Sequence, residues 1–91
     1  MMSDNEIHAR LGELSGWQYD GVHIHKSFVF GDFSEAFAFL TRVALISEKL
    51  NHHPDWSGVY NKVILKLRTH DADGITDKDI NFARRVEAMF H

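Results

Sequence analysis

Apolar positions recur along this chain with two different periods, and the switches between them mark out its elements. Ile7, Leu11 and Leu14 fall at helical spacing behind Ser3 and Glu6. That pair is a capping box, in which each side chain satisfies the other residue's backbone N–H. A short first helix over about residues 4–13 follows. From Trp17 the period drops to two, with Trp17, Tyr19, Val22, Ile24, Phe28 and Phe30 expected to share one buried face. Asp20-Gly21 interrupts the run as a two-residue hairpin signal, because a type I′ turn needs positive φ at both central positions. Asp32 and Glu35 then form a second capping box and open a helix running to about Leu50. Its apolar residues (Phe33, Ala36, Phe37, Phe39, Leu40, Val43, Ala44, Ile46, Leu50) cover more than one face. One sheet needs less, so part of that surface is expected to meet another subunit. Phe33, Phe37 and Phe39 are assigned to the core.

Pro54 cannot continue the helix and pushes His53 toward an extended conformation. Trp56, Gly58 and Tyr60 alternate on one side, and Val63, Leu65 and Leu67 do so after Asn61-Lys62. A two-residue turn at Asn61-Lys62 sets Tyr60 opposite Val63 and Trp56 opposite Leu67. His53 then lies opposite His70, with Cβ atoms about 5 Å apart. One unbroken strand would separate these histidines by about 55 Å, at roughly 3.3 Å per residue. The hairpin reading gathers them. Beyond a loop at Asp71–Gly74, Thr76 and Asp79 open the last helix as a capping-box variant, with Ile80, Ala83, Val86 and Phe90 as its inner stripe. The order is α-β-β-α-β-β-α. This is an α+β fold: a four-stranded antiparallel sheet with helices packed on one face.

Composition narrows the classes. Ninety-one residues make a single domain, 1–91, with 44% hydrophobic and 25% charged positions, as in an ordinary soluble globular protein. No cysteine is present, which removes disulfides and cysteine-built zinc sites. A formal charge of -3 and the lack of any Lys/Arg run leave no footprint for nucleic acid. The polar, acidic start (Ser3, Asp4, Asn5, Glu6) is unlike a targeting peptide. No apolar run approaches the ~20 residues needed to span a membrane. The expectation is a cytoplasmic protein without nucleic-acid or membrane partners.

Seven histidines change the picture, above all His52-His53-Pro54 and His70. Imidazole, with an ordinary pKa of roughly 6.5, can give or take a proton near neutral pH. Two plainer readings stand beside this one. Histidines at a helix C-terminus are favoured by the dipole alone. Three histidines can also hold zinc, although adjacent ligands are an uncommon spacing. His23 and His25 share the outward face of a strand and read as solvated, and His8 and His91 fall in no pattern. Tyr60 and Asn61 serve the hairpin or a ligand equally well.

Glu48, three residues, His52-His53-Pro54, five residues, Tyr60, nine residues, His70, eight residues and Asp79 form a spaced signature. With Thr41-Arg42-Val43-Ala44, Glu48-Lys49-Leu50, Tyr60-Asn61-Lys62-Val63, Thr69-His70-Asp71 and Asp79-Ile80-Asn81, it resembles the pterin-4a-carbinolamine dehydratases over about residues 15–90. The resemblance implies a four-stranded antiparallel sheet backed by helices. It also implies a hydro-lyase that removes water from the 4a-hydroxytetrahydropterin left by aromatic amino acid hydroxylases. The product is quinonoid dihydropterin, so the activity serves tetrahydrobiopterin recycling. Histidine acid–base catalysis is implied, with no metal and no cofactor. The catalytic set carried over is His52, His53 and His70, with His52 and His70 moving protons and His53 chiefly holding the pterin. Glu48, Trp56 and Asp79 are the implied substrate-binding residues. Glu48 would orient the His52 ring, Trp56 would form an aromatic wall, and Asp79 would cap its helix or contact His70 or the pterin. Some members also act as dimerisation cofactors of a homeodomain transcription factor, which implies an alternative role as a coactivator binding a protein through its helices. A homodimer or homotetramer is expected, built from a strand edge and apolar helix faces.

Overall fold

The computed structural model describes residues 1–90, and His91 lies outside the described residues. Helix α1 (Asp4–Leu11) is followed by β1 (Gln18–Tyr19), β2 (Ile24–Val29), α2 (Phe33–Leu50), β3 (Asp55–Val59), β4 (Lys62–Leu67) and α3 (Asp77–Phe90). A 3₁₀ turn, His70–Ala72, precedes α3. The four strands form one antiparallel sheet, as the sequence predicts, and their order across it is β1-β2-β4-β3.

Helix starts follow their capping residues. Ser3 Oγ accepts the Glu6 N–H at 3.2 Å, and Glu6 Oε1 accepts the Ser3 N–H at 3.1 Å. At α2, Asp32 Oδ1 accepts the Glu35 N–H at 2.9 Å, while the Glu35 carboxylate reaches back to the N–H of Gly31. At α3, Thr76 Oγ1 accepts the Lys78 N–H and the Asp79 carboxylate accepts the Thr76 N–H. Each cap satisfies N–H groups that the first helical turn leaves without partners.

Ile24 and Phe28 of β2 and Val63, Leu65 and Leu67 of β4 carry the sheet's buried face. Against it lie Ile7 of α1, Ala36, Phe39 and Val43 of α2, and Ile80, Phe82, Ala83 and Val86 of α3. Phe28 sits at the centre, with its ring centroid 4.7 Å from that of Phe39 and 5.0 Å from that of Phe90. Lys26 shares this face between Ile24 and Phe28. Its ammonium ends 2.5 Å from Glu87 Oε1, which also accepts the Trp17 indole N–H at 2.7 Å.

Both hairpins depart from the expected register by two residues. Tyr19 pairs with Ile24, so residues 20–23 form the first connection and Val22 is half exposed. Asp20 causes this, because its Oδ1 accepts the N–H groups of both Val22 and His23, which lengthens the turn. In the second hairpin Val59 pairs with Lys62 and Trp56 with Leu65, so the turn is Tyr60-Asn61. Tyr60 takes a positive φ, 51°, at the first position of this turn. The Asn61 side-chain amide is spent elsewhere, with Nδ2 donating to the Phe30 carbonyl, while the Asn61 backbone carbonyl accepts the Phe30 N–H. A slip of two keeps every side chain on its face, so the sheet's inside and outside are as predicted.

The α2 phenylalanines also divide. Phe39 is buried, whereas Phe33 and Phe37 are each 56% exposed, stacked on one another outside the core. Leu45 is exposed too. No helix among the described residues is long and apolar enough to cross a membrane.

Candidate active site

The end of α2 aims the first histidine. Asn51 adopts the left-handed conformation (φ 50°), its N–H bonds the Glu48 carbonyl, and the His52 N–H reaches back to the Ser47 carbonyl at 3.1 Å. This is a Schellman stop, which turns the chain sharply off the helix. His52 therefore packs inward against α3, with its ring edge-on to Phe82. Its Nε2 lies 2.6 Å from Asp79 Oδ1.

Asp79 is wholly buried, and its second oxygen accepts the Thr69 hydroxyl at 2.8 Å and the Thr76 N–H at 3.0 Å. A carboxylate only accepts, so His52 donates from Nε2, and in the neutral ring Nδ1 is the lone-pair nitrogen. The sequence leaves Asp79 a choice of partner. In the fold it caps α3 and holds His52, with no surface of its own exposed. Glu48, expected to orient His52, instead meets His53, with Oε1 3.0 Å from Nε2 in an exposed pair. The reason is the Schellman turn, which carries His52 away from the face on which Glu48 stands.

His70 begins the 3₁₀ turn directly after Thr69, and its ring is exposed. The register places no cross-strand pair between His53 and His70, because the β3–β4 ladder begins at Asp55 and Lys66. The histidines nevertheless converge. His52, His53 and His70 line one polar cavity of about 440 Å³, together with Asn51, Pro54, Asp55, Thr69, Asp71 and Lys78. An apolar cavity of about 370 Å³ adjoins it, sharing His53 and Pro54 and walled by Trp56, Glu48 and residues of α2 such as Leu40 and Ala44. Trp56 is thus on the apolar side, and Asp79 lies beneath the floor. No three His, Cys, Asp or Glu side chains among the described residues converge as a metal would require.

A polar pocket holding three imidazoles beside an apolar shelf suits proton transfer to and from a bound heterocycle. The family model for pterin 4 alpha carbinolamine dehydratase matches residues 1–89. The chain belongs to this family. A Mesorhizobium japonicum relative is 53% identical over 91 residues, covering 98% of this chain and 93% of its own length. One from Prochlorococcus marinus is 44% identical over 90 residues, covering 99% and 94%. Both carry the provisional name pterin-4-alpha-carbinolamine dehydratase. Among solved structures, a transcriptional coactivator/pterin dehydratase from Brucella melitensis superposes with TM-score 0.91 at 45% identity, over 96% of this chain and 95% of that one. A pterin dehydratase-like protein identified as a RuBisCO assembly factor in the alpha-carboxysome is more distant, with TM-score 0.66 at 27% identity over 79% and 83%.

Two participants escape the sequence reading. Lys78 lines the cavity from the first turn of α3, and Thr69 lines it too while its hydroxyl hydrogen-bonds Asp79. Thr69 stands next to His70, and Thr76-x-x-Asp79 already announces a carboxylate turned toward its own helix end. Only the fold brings those two signals to one point.

Proposed function

We propose that this protein dehydrates 4a-hydroxytetrahydropterin to quinonoid dihydropterin, recycling a tetrahydrobiopterin-type cofactor in the cytoplasm. The observation that carries the reading is the convergence of His52, His53 and His70 on one cavity, with His52 backed by a buried carboxylate. In the reaction a general acid protonates the hydroxyl on carbon 4a, and the C–O bond breaks with its electron pair leaving on water. The N5 lone pair forms the C4a=N5 double bond, and a base removes the N5 proton. One water is lost and no electron is transferred, so imidazoles suffice. His52 and His70 exchange the protons and His53 holds the pterin, supported by Glu48. Trp56 offers a flat apolar wall beside them, and Asp79 acts through His52. The direct test is absorbance-monitored dehydration of synthetic 4a-hydroxytetrahydropterin. Catalysis well above the buffer rate is expected, and a rate equal to buffer would overturn the proposal.

A second reading follows from α2, where Phe33 and Phe37, beside β3, and Leu45 are exposed. Exposed apolar clusters of this kind mark protein contacts. The coactivator name of the Brucella structure points the same way. We assign these residues and the open edge of β3 to association as a homodimer or homotetramer, or with a protein partner through the helices. Light scattering at micromolar concentration tests it: a monomer would speak against self-association. A histidine-dead variant that keeps full biological activity would favour the binding role over the enzyme.

A further inference from the structure

The hydrogen bonds beneath His52 run in one direction only. Lys78 N–H is a donor, so the Thr76 hydroxyl oxygen accepts it at 3.2 Å. Asp79 Oδ2 can only accept, so the Thr69 hydroxyl spends its single proton there, at 2.8 Å. The 2.7 Å contact between the two hydroxyls must therefore have Thr76 as donor and Thr69 as acceptor. The chain is Lys78 N–H to Thr76, Thr76 to Thr69, Thr69 to Asp79, with the Thr76 N–H as a second donor to Asp79. Asp79 is wholly buried and Thr69 nearly so, at the edge of the polar cavity. Successive donors polarise one another, and the whole chain ends on the carboxylate that accepts the His52 Nε2–H hydrogen bond.

We propose that Thr69 is a positioning residue for His52, acting through Asp79. Its hydroxyl occupies Oδ2 and fixes the rotation of the carboxylate, so that Oδ1 alone faces His52 Nε2. That keeps the neutral imidazole in the tautomer with its proton on Nε2 and its lone pair on Nδ1. Without the hydroxyl, Asp79 keeps only the Thr76 N–H on Oδ2 and can swing, and the ring loses its fixed tautomer. This inference rests on the dehydratase reading for its effect on rate, but not for its effect on the ring.

The experiment uses Thr69→Val, which keeps the branched shape and removes the donor, with Thr69→Ser as the restoring variant. Imidazole ¹⁵N NMR on the intact protein reads the tautomer of His52, and steady-state dehydration reads kcat and KM. Thr69→Val should mix the His52 tautomers and lower kcat roughly tenfold with KM unchanged, and Thr69→Ser should restore both. A residue needed only for packing would lower the melting temperature and leave tautomer and kcat alone; that result overturns the proposal. If Thr69→Val does not fold, Thr69→Cys takes its place, with a weak donor at the same position. If the wild-type protein shows no dehydration, the dehydratase reading falls while the NMR arm still decides the role of Thr69.

Discussion

Asp79 Oδ1 and His52 Nε2 lie 2.6 Å apart across 27 residues of sequence, with the carboxylate fully buried and the ring almost so. A buried carboxylate is tolerated where donors surround it, and here His52, Thr69 and Thr76 supply three. Replacing it by an amide breaks the pattern. In Asp79→Asn one end of the side chain becomes an N–H₂ donor and must face either the ring or the Thr76 N–H. The first choice forces the opposite tautomer on His52; the second leaves a backbone donor unpaired. The variant should lose about 1–3 kcal/mol in urea unfolding and most of its kcat. Retention of both would remove Asp79 from the site.

The three histidines should separate by kinetic effect. His52→Ala and His70→Ala remove groups assigned to proton transfer, so kcat should fall about 10²–10⁴-fold. His53 is exposed and pairs with exposed Glu48, so His53→Ala should chiefly raise KM. Circular dichroism should show all three variants folded. Near-wild-type turnover in both His52→Ala and His70→Ala would dismiss this site.

Lys26 is the one charged side chain on the core face of β2, and its stability depends on Glu87. Both side chains are 13% exposed, and the ammonium also bonds the Ser15 carbonyl and lies over the Phe28 ring. Removing one member of such a pair strands the other in poor solvent. Lys26→Met should therefore cost on the order of 3 kcal/mol, despite adding apolar surface to the core. An unchanged urea midpoint would show that Glu87 is held adequately without it.

Elements were legible where a local rule decided them, and pairings were not where distant groups competed. The capping boxes at Ser3, Asp32 and Thr76 announce three helices, since each is satisfied within one turn. Hairpin registers differ from the periodic expectation because a side chain intervenes: the Asp20 carboxylate in one turn, the Asn61 amide in the other. Glu48 meets His53 and not His52 because helix periodicity takes no account of the Schellman turn after it. Lys26 reads as an interruption of an apolar face, since its partner is 61 residues away. The resemblance singles out His52, His53 and His70, and the fold sets all three on one cavity by a route the expected register does not give, while the carboxylate's buried donors depend on tertiary packing alone.

Asp20 gives a pH signature. The N–H groups of His23 and Val22, which it accepts, hold its carboxyl below the usual carboxylate range. A group whose folded pKa is depressed stabilises the fold above its unfolded pKa, about 3.9 for Asp, and loses that contribution as pH falls through the lower folded value. Asp20 is exposed, so the effect is small and screened by solvent. Asp20→Asn keeps an oxygen acceptor for both N–H groups but cannot titrate. It should match wild type at neutral pH and show a flatter loss of stability below about pH 4. Identical acid unfolding curves would exclude a linked role for Asp20.

Two glycine exchanges in the β3–β4 hairpin should act with opposite sign. Gly58 faces Val63 across the ladder, and a Cβ there would stand 2.7 Å from the Lys62 carbonyl oxygen. That neighbour is backbone, so no rotamer change relieves the clash and the edge strand must move. Gly58→Ala should lose about 1–3 kcal/mol, and hydrogen exchange should quicken first in β3. Trp56 lies on that strand and walls the apolar cavity next to His53, so KM should rise as well. Tyr60 presents the reverse case, because it holds φ at 51° with its ring 62% exposed. Left-handed backbone costs a non-glycine residue roughly 1–2 kcal/mol, and little packing offsets it here. Tyr60→Gly should then be neutral or stabilising, after the greater chain entropy of glycine is subtracted. Urea midpoints that move together in the two variants would mean that the turn, and not these two contacts, governs the hairpin.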